Sequence, residues 1–453
     1  LNDSSIRYHW ESLRTSYWFI PAILGIAAIG LSIITVAIDH TIREHGAWKD
    51  WTYTGGPEGA RAVLATIAGS MITVAGVVFS ITIVALSLAS AQFGPRLLRN
   101  FIRDRRNQFV LGTFTATFLY CLLILRTVRG SDHDEFVPGV SVTIGMLLAI
   151  FNLGVLIYFI HHVAISIQAT SVIRSVSDEL NETIDRLWPA NLGSEPPDVC
   201  ELATLPYPQD EALPVLAEDS GYVDAIQDSM LIKLAKENSL IIRLAHRPGH
   251  FAVAGTPLAW AWPPERATED ITKKLNKAFV LASHRTPFQD VEFAIDQLVE
   301  IAIRALSPGI NDPFTALNCI DRLGEALCRL ARRSAPSSLR FDDEKELRVI
   351  TYPARFAAVT DAAFNQIRQY GASSAAVMIC LMETIGTIAS QCRREDDFVA
   401  LARHAELVAR AARRSLAEEA DLADLEERHK GVLQEFARHV GGLPIGQVQP
   451  ATE

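Results

Sequence analysis

Residues 57–95, PEGARAVLATIAGSMITVAGVVFSITIVALSLASAQFGP, hold one acid, Glu58, and one base, Arg61, both at the start of the run. A soluble helix of that length carries a polar face, whereas about 20 apolar residues are enough to cross a bilayer. At 1.5 Å per residue the helix reaches about 55 Å against a hydrocarbon core of about 30 Å, so one end projects from the lipid. Thr66, Gly69, Thr73, Gly76, Ser80, Ser87 and Gln92 recur mostly at spacings of three, four and seven, which places most of them on one face. Such a face either lets a neighbouring helix come close, with hydroxyls bonding across the contact, or lines a wet path. On the second reading Thr66, Thr73, Gly76, Ser80 and Ser87 are candidate pore-lining residues.

The whole chain has 453 residues, 49% hydrophobic and 21% charged, with a mean hydropathy of +0.17. That balance is too apolar for a soluble chain of this size and too charged for one wholly in lipid. Residues 1–163 hold 12 Lys+Arg against 10 Asp+Glu, a net of +2, and the remainder holds 30 against 42, a net of −12. An acidic second part argues against a nucleic-acid partner, because phosphate binding needs clustered bases. The six cysteines form no C-x-x-C pair, the pattern of reduced structural thiols in a cytosol.

Three further apolar runs follow the same logic. Residues 17–38 are of spanning length, and no A-x-A site follows them, so an anchored helix is expected rather than a cleaved signal. The chain opens on Leu1, so translation is expected to start upstream. Trp48, Trp51 and Tyr53 suit a headgroup layer, and Gly55-Gly56-Pro57 opens the long helix. After Pro95, the string RLLRNFIRDRRNQ sets Arg96, Arg99, Arg103, Arg105 and Arg106 against Asp104, and the positive-inside rule puts this basic cluster at the cytoplasmic mouth. Spans at 109–125 and 137–162 then leave both termini and the large acidic region in the cytosol. Arg126 near the outer end of the third span either guards a pore mouth or snorkels. His161 and His162, where the fourth span leaves the membrane, either sense pH or merely end the apolar run.

The expected organisation is a four-helix transmembrane domain (1–163), a helical stalk (164–188), a Pro-rich linker (189–216), a small β-rich domain (217–265), a helical cytosolic domain (266–440) and a disordered tail (441–453). The stalk places Ala169, Ile173, Val176, Leu180, Ile184 and Leu187 on one face, for a coiled coil or for packing on its own domain. The stretch SLIIRLAHRPGHFAVAGTPLAWAWP resembles the small sandwich barrels of lipoyl-type and membrane-fusion proteins, with Gly249, Val253, Gly255 and Leu258 turning a strand pair. Lys233 falls in a helical pattern rather than a hairpin, so no covalent cofactor is implied. From Glu269 onward nearly every segment, including ITKKLNKAFVLAS, reads as helix, with breaks near Gly371 and at Glu395-Asp396-Asp397.

Few strings here suggest chemistry. In RALSPGINDPFTAL, Gly309 permits an unusual backbone angle, Asp312 suits an N-cap and Pro313 a first helical position, which makes a corner between helices. The other reading of that corner is a ligand loop, with Ser307, Asn311, Asp312 and the amides at the helix start holding an anion. Glu292, Asp296 and Glu300 at i, i+4 and i+8 either hold a hard cation or form a solvated face on which Glu300 meets Arg304. No nucleophile–base set, metal-ligand spacing or phosphate loop stands out, so neither an enzyme nor a cofactor is expected.

The strings SITIVALSLASAQFGPRLLRNFIRDRRNQFVLGTFTATFLYCLLILRTV, IYFIHHVAISIQ, HRPGHFAVAGTPL, RTPFQDVEFAIDQLVEIAIRALSPGINDPFTA and CIDRLGEAL resemble one family of predicted bacterial inner-membrane proteins, a domain of unknown function. The likeness covers residues 18–330 and implies four spans with a large cytosolic region. The fold expected is an α-helical membrane protein plus a mainly α cytosolic region containing a small β-barrel-like element. The function expected is a homo-oligomeric, ion-conducting channel whose second helix lines the path. The alternative is a membrane-anchored scaffold or sensor whose cytosolic helices bind a partner.

Overall fold

The computed structural model describes residues 18–45, 52–94, 104–131, 134–188 and 211–439. Trp48, Trp51, Arg96, Arg99, Arg103 and Cys200 lie outside the described residues, as do most of the Pro-rich linker and the tail. The chain divides into two compact units, Leu1–Ser171 and Val172–Glu453.

Among the described residues, four helices of the first unit are long and apolar enough to cross a membrane: α1 (Phe19–His45), α2 (Pro57–Phe93), α3 (Arg105–Leu125) and α4 (Gly139–Ser166). Only a helix or closed barrel satisfies its own backbone where lipid offers no partner. Pro57 stands in the first turn of α2, where its missing N–H costs nothing, and Gly94 closes the helix at φ +112°. The third helix starts four residues before the expected Phe109. Asp104 caps it by accepting the Arg106 N–H at 2.9 Å, which puts Arg105 and Arg106 in the first turn rather than in a loop. A short antiparallel hairpin, β1 (Arg129–Ser131) and β2 (Asp134–Phe136), joins α3 to α4.

The third helix packs against the other three. At one level Leu64, Tyr120, Ile124 and Val142 share a cluster, and at the other Val78, Val110, Phe114 and Phe159 do. Val78 thus lies near Val110, little more than a turn into α3. The last ten or so residues of α2, roughly 15 Å of helix, therefore run past the first turn of its neighbour.

The helix α5 (Ala169–Leu187) begins after a break at Ile167 and Gln168, whose N–H groups turn back to the carbonyls of Val163 and Ile165. Its apolar seam, Val172, Ile173, Val176, Leu180 and Ile184, is buried within the chain itself. Arg333 closes its last turn by donating to the carbonyls of Ile184, at 3.1 Å, and Trp188.

The expected barrel is instead two open sheets. One has five strands in the order β3 (Leu213–Leu216), β7 (Pro257–Trp262), β5 (Ile241–Leu244), β10 (Leu347–Ile350) and β9 (Leu339–Phe341), antiparallel except for the β5–β10 pair. The other runs β6 (Phe251–Ala252), β4 (Gly221–Ile226), β8 (Phe279–Ala282), all antiparallel. The run KAFVLAS, expected as helix, supplies β8, because a four-residue apolar run fits either period. The helices α6 (Asp228–Glu237) and α7 (Glu269–Asn276) contribute Leu231, Leu234 and Leu275 to the same core as Ile242, Leu258 and Val349.

Six helices complete the unit: α8 (Val291–Ala305), α9 (Pro313–Ala331), α10 (Phe356–Tyr370), α11 (Ala375–Ala389), α12 (Glu395–Ser415) and α13 (Glu419–His439). The acids Glu395, Asp396 and Asp397, expected as a break, form the first turn of α12, where the helix dipole favours them. Between α10 and α12 the fully buried His404 sits 2.8 Å from Asp361 and edge-on to Phe364. Burial first, and Arg403 beside it second, push its pKa down from 6.5 to about 4. A folded value below the unfolded one means that the unfolded chain binds the extra proton. Stability is then complete above pH 6.5 and is lost as pH falls toward 4, by about 3 kcal/mol in all. Melting curves of wild type and His404→Phe between pH 4 and 7 check this, and the variant should lose less stability over that window.

Candidate functional site

The five candidate path-lining residues (Thr66, Thr73, Gly76, Ser80 and Ser87), and the two others of their row, all lie on the uncovered face of α2. Thr66, Gly69, Thr73, Gly76, Ser80, Ser87 and Gln92 are exposed, while Leu64, Ala68, Ala75 and Val78 are buried. A methyl group added at Gly69 or Gly76 would meet nothing within 4 Å, so the chain's own packing does not require glycine at either position. Thr66 donates to the Ala62 carbonyl at 2.7 Å and Thr73 to that of Gly69 at 2.8 Å, so these hydroxyls are satisfied without water. Large apolar residues, Ile72, Val77, Phe79 and Val84 among them, share the outer surface. What the face offers is close approach, with hydroxyls able to exchange partners.

Of the basic cluster, Arg105 and Arg106 are described and both are exposed. Asp104 between the arginine-rich stretch and α3 has a second role: its Oδ2 lies 2.6 Å from His162 Nε2, tying the start of α3 to the end of α4. His161 beside it is exposed, as is Arg126 at the other end of α3.

Polar residues that sequence reasoning passed over face inward. Asp39, 7% exposed, accepts the Val140 N–H at 2.8 Å, the Ser141 N–H at 3.0 Å and the Ser141 hydroxyl at 2.6 Å. It caps α4 from another helix. Tyr120 donates to the Ser141 carbonyl at 3.0 Å and meets Thr35 Oγ1 at 3.1 Å. Asn152, fully buried, donates to Thr117 Oγ1 at 2.6 Å. A signal was available: Ser32, Thr35 and Asp39 are spaced by three and four within an apolar run, as are Thr113, Thr117 and Tyr120.

In the second unit two of the family-like strings come together. From HRPGH, Arg247 bridges both oxygens of Glu292 at 2.7 and 2.8 Å and donates to His250 Nε2 at 2.9 Å. From the string that follows His284, Arg285 donates to Asp290 at 2.8 Å and Asp296 at 3.0 Å. Burial lowers the pKa of both His246 and His250, the latter further depressed by Arg247. The acid row, read either as a cation site or as a face on which Glu300 meets Arg304, is matched by arginines: Glu292 with Arg247, Asp296 with Arg285, and Glu300 with Arg304 at 3.4 Å. Among the described residues no group of His, Cys, Asp and Glu forms a metal cluster.

The corner at Ser307, Asn311 and Asp312 links α8 to α9. Ser307 donates to the Arg304 carbonyl at 2.6 Å, and Asp312 accepts both the N–H and the hydroxyl of Thr315. These groups serve the corner itself, as the helix-capping reading expects. The unusual backbone angle falls on Asn311, at φ +50°, rather than on Gly309, because asparagine tolerates that region.

The sequence model of the predicted membrane protein family DUF2254 matches residues 14–387. The chain belongs to this family. Uncharacterized protein Rv1290c of Mycobacterium tuberculosis is 34% identical over 419 residues, covering 91% of this chain and 79% of its own. Uncharacterized protein Mb1321c of Mycobacterium bovis matches to the same extent. No solved structure matches. The arginine and histidine pairs above, the α2 face and the Asp39 cap all fall inside the part of the chain matched to DUF2254.

Gly249 is what lets the two strings meet. Its φ is +92°, and a methyl group there would lie 2.1 Å from Asp290 Oδ2, the oxygen that Arg285 holds. Gly249→Ala should cost about 2–4 kcal/mol, from left-handed backbone strain plus displacement of the α8 cap. Gly255→Ala, at φ +82° with nothing within 4 Å, should cost only the strain, about 1–2 kcal/mol. Denaturant titration checks both, and equal losses would contradict the assigned role of Asp290.

Proposed function

We propose that the protein is a homo-oligomeric, channel-like protein of the bacterial inner membrane, with α2 innermost and its hydroxyl-and-glycine face turned to an ion path. The supporting observation is that this face, Thr66 through Ser87, is left uncovered by the other described helices. Glycines that no intrachain contact needs are best explained by another surface coming close. The positive-inside rule puts the arginines after Pro95 in the cytoplasm, with both termini and the acidic second unit on the same side. Five arginines at the inner mouth raise the local anion concentration, so a weak anion preference follows. The cytosolic unit biases opening, and no catalytic step is assigned.

A second reading, a membrane-anchored scaffold with no transport, is favoured by one observation: the α2 threonines already bond their own backbone and so need no water. Reconstitution separates the two. If the channel reading holds, the wild-type protein carries current in planar bilayers, and Ser80→Leu lowers unit conductance about five-fold or more by narrowing the path. Absence of current in the wild type, or an unchanged conductance in the variant, favours the scaffold.

A further inference from the structure

The interior of the first unit holds a second line of polar groups, independent of the α2 face. Along α3, Asn107, Gln108, Thr113, Thr117 and Tyr120 are each less than a tenth exposed. Asn152, at the middle of α4, reaches Thr117 with its Nδ2, while its Oδ1 and that of Asn107 meet no donor. At one end of the line stands Asp39, joined to the Ser141 hydroxyl at 2.6 Å, with Tyr120 and Thr35 beside it. At the other end stands the pair Asp104 and His162, 2.6 Å apart. Two titratable ends thus bracket a file of hydroxyls and amides.

Asp39 and Tyr120 tie helices together, but holding four helices does not require the carboxamides of Asn107, Gln108 and Asn152 along the file. A hydroxyl in lipid can bond its own backbone, as Thr113 does with Val110 at 2.8 Å, but a carboxamide oxygen has no such recourse. Each unmet polar group in hydrocarbon costs several kcal/mol, which apolar residues at the same places would avoid. Ionisable and polar residues inside a bundle commonly mark a pathway for ions or protons. The steps from Tyr120 to Thr117, Thr113 and Gln108 are three, four and five residues, or about 4.5–7.5 Å of helix rise. One or two waters, with hydrogen bonds of about 2.8 Å, span each of the first two steps, whereas Thr113 and Gln108 lie about 140° apart around α3 and need a file of about four, passing the apolar cluster of Val110, Phe114 and Phe159.

We propose that the bundle interior of a single chain conducts protons between Asp39 and the Asp104–His162 pair. A proton arriving at the Asp39 carboxylate displaces one along the file. Each hydroxyl or water accepts one proton and releases its own to the next oxygen, and the last passes to the His162 imidazole and on to water. One proton enters and one leaves, with no electron transferred and no heavy-atom bond changed. Asn152 orients the water beside Thr117 rather than carrying the proton itself. Among the described residues the charged or titratable neighbours at the ends are His40, stacked on Phe136 next to Asp39, Cys121 next to Tyr120, Tyr158, whose ring stacks on His162, and Arg105, Arg106 and His161 next to the inner pair.

Because the route lies within one chain, it does not rest on copies meeting along α2, and the two readings fail separately. The test uses the full chain in liposomes loaded with a pH-sensitive dye, the potential clamped with potassium and valinomycin. After a pH step of about one unit, the wild type should dissipate the gradient about ten-fold faster than protein-free vesicles. Asn152→Leu and the isosteric Thr117→Val should each slow it about five-fold or more, and Leu147→Ala on the lipid side of α4 should not. Thr117→Val keeps the side chain's shape, so a normal melting curve for it separates lost conduction from lost folding. Wild-type flux at the vesicle background overturns the proposal. So does unaltered flux in a folded Thr117→Val, which would leave the file a structural network only.

Discussion

A helix that begins inside a bilayer presents several N–H groups to a medium that cannot accept them. In this chain the acceptor comes from another helix: Asp39, at the far end of α1, takes the first donors of α4. The carboxylate sits where the helix dipole is positive, so the charge and the unmet donors answer each other. That contact sets the register of α1 against α4, and Tyr120 extends it to α3 through the Ser141 carbonyl. With three helices fixed at one level, the clusters around Tyr120 and Phe114 fill in and α2 takes its place along the outside.

The second unit is organised by a comparable contact between charged groups. Arg247 and Arg285 each hold acids at the start of α8, so the loop between β5 and β6 is clamped to a helix rather than left as a free turn. Such part-buried pairs are worth more through the arrangement they impose than through net energy, since desolvation offsets much of the attraction. Breaking one partner would strand the other.

Much of this was legible in the chain. Length and hydropathy fix the four spans, because only a bilayer rewards such runs, and capping preferences place Asp312 and Pro313 correctly. The strands β8, β9 and β10 were not legible, since their short apolar runs fit either period and their partners lie as far as a hundred residues away. The inward polar residues were missed for another reason. Hydroxyls on α2 are many, whereas Asn152 stands singly within an apolar run and the row Ser32, Thr35 and Asp39 is short, and only packing tells an inward position from an outward one.

The overhang of α2 has a mechanical consequence. Its last ten or so residues, beyond the level where α3 begins, form an arm of roughly 15 Å whose Ala89 and Phe93 are themselves buried. A swing of about ten degrees at that level would carry Phe93 through nearly 3 Å, enough to pull its ring from the contacts that bury it. Small rearrangements within the bundle are therefore amplified into displacements at the tip large enough to make or break contacts there.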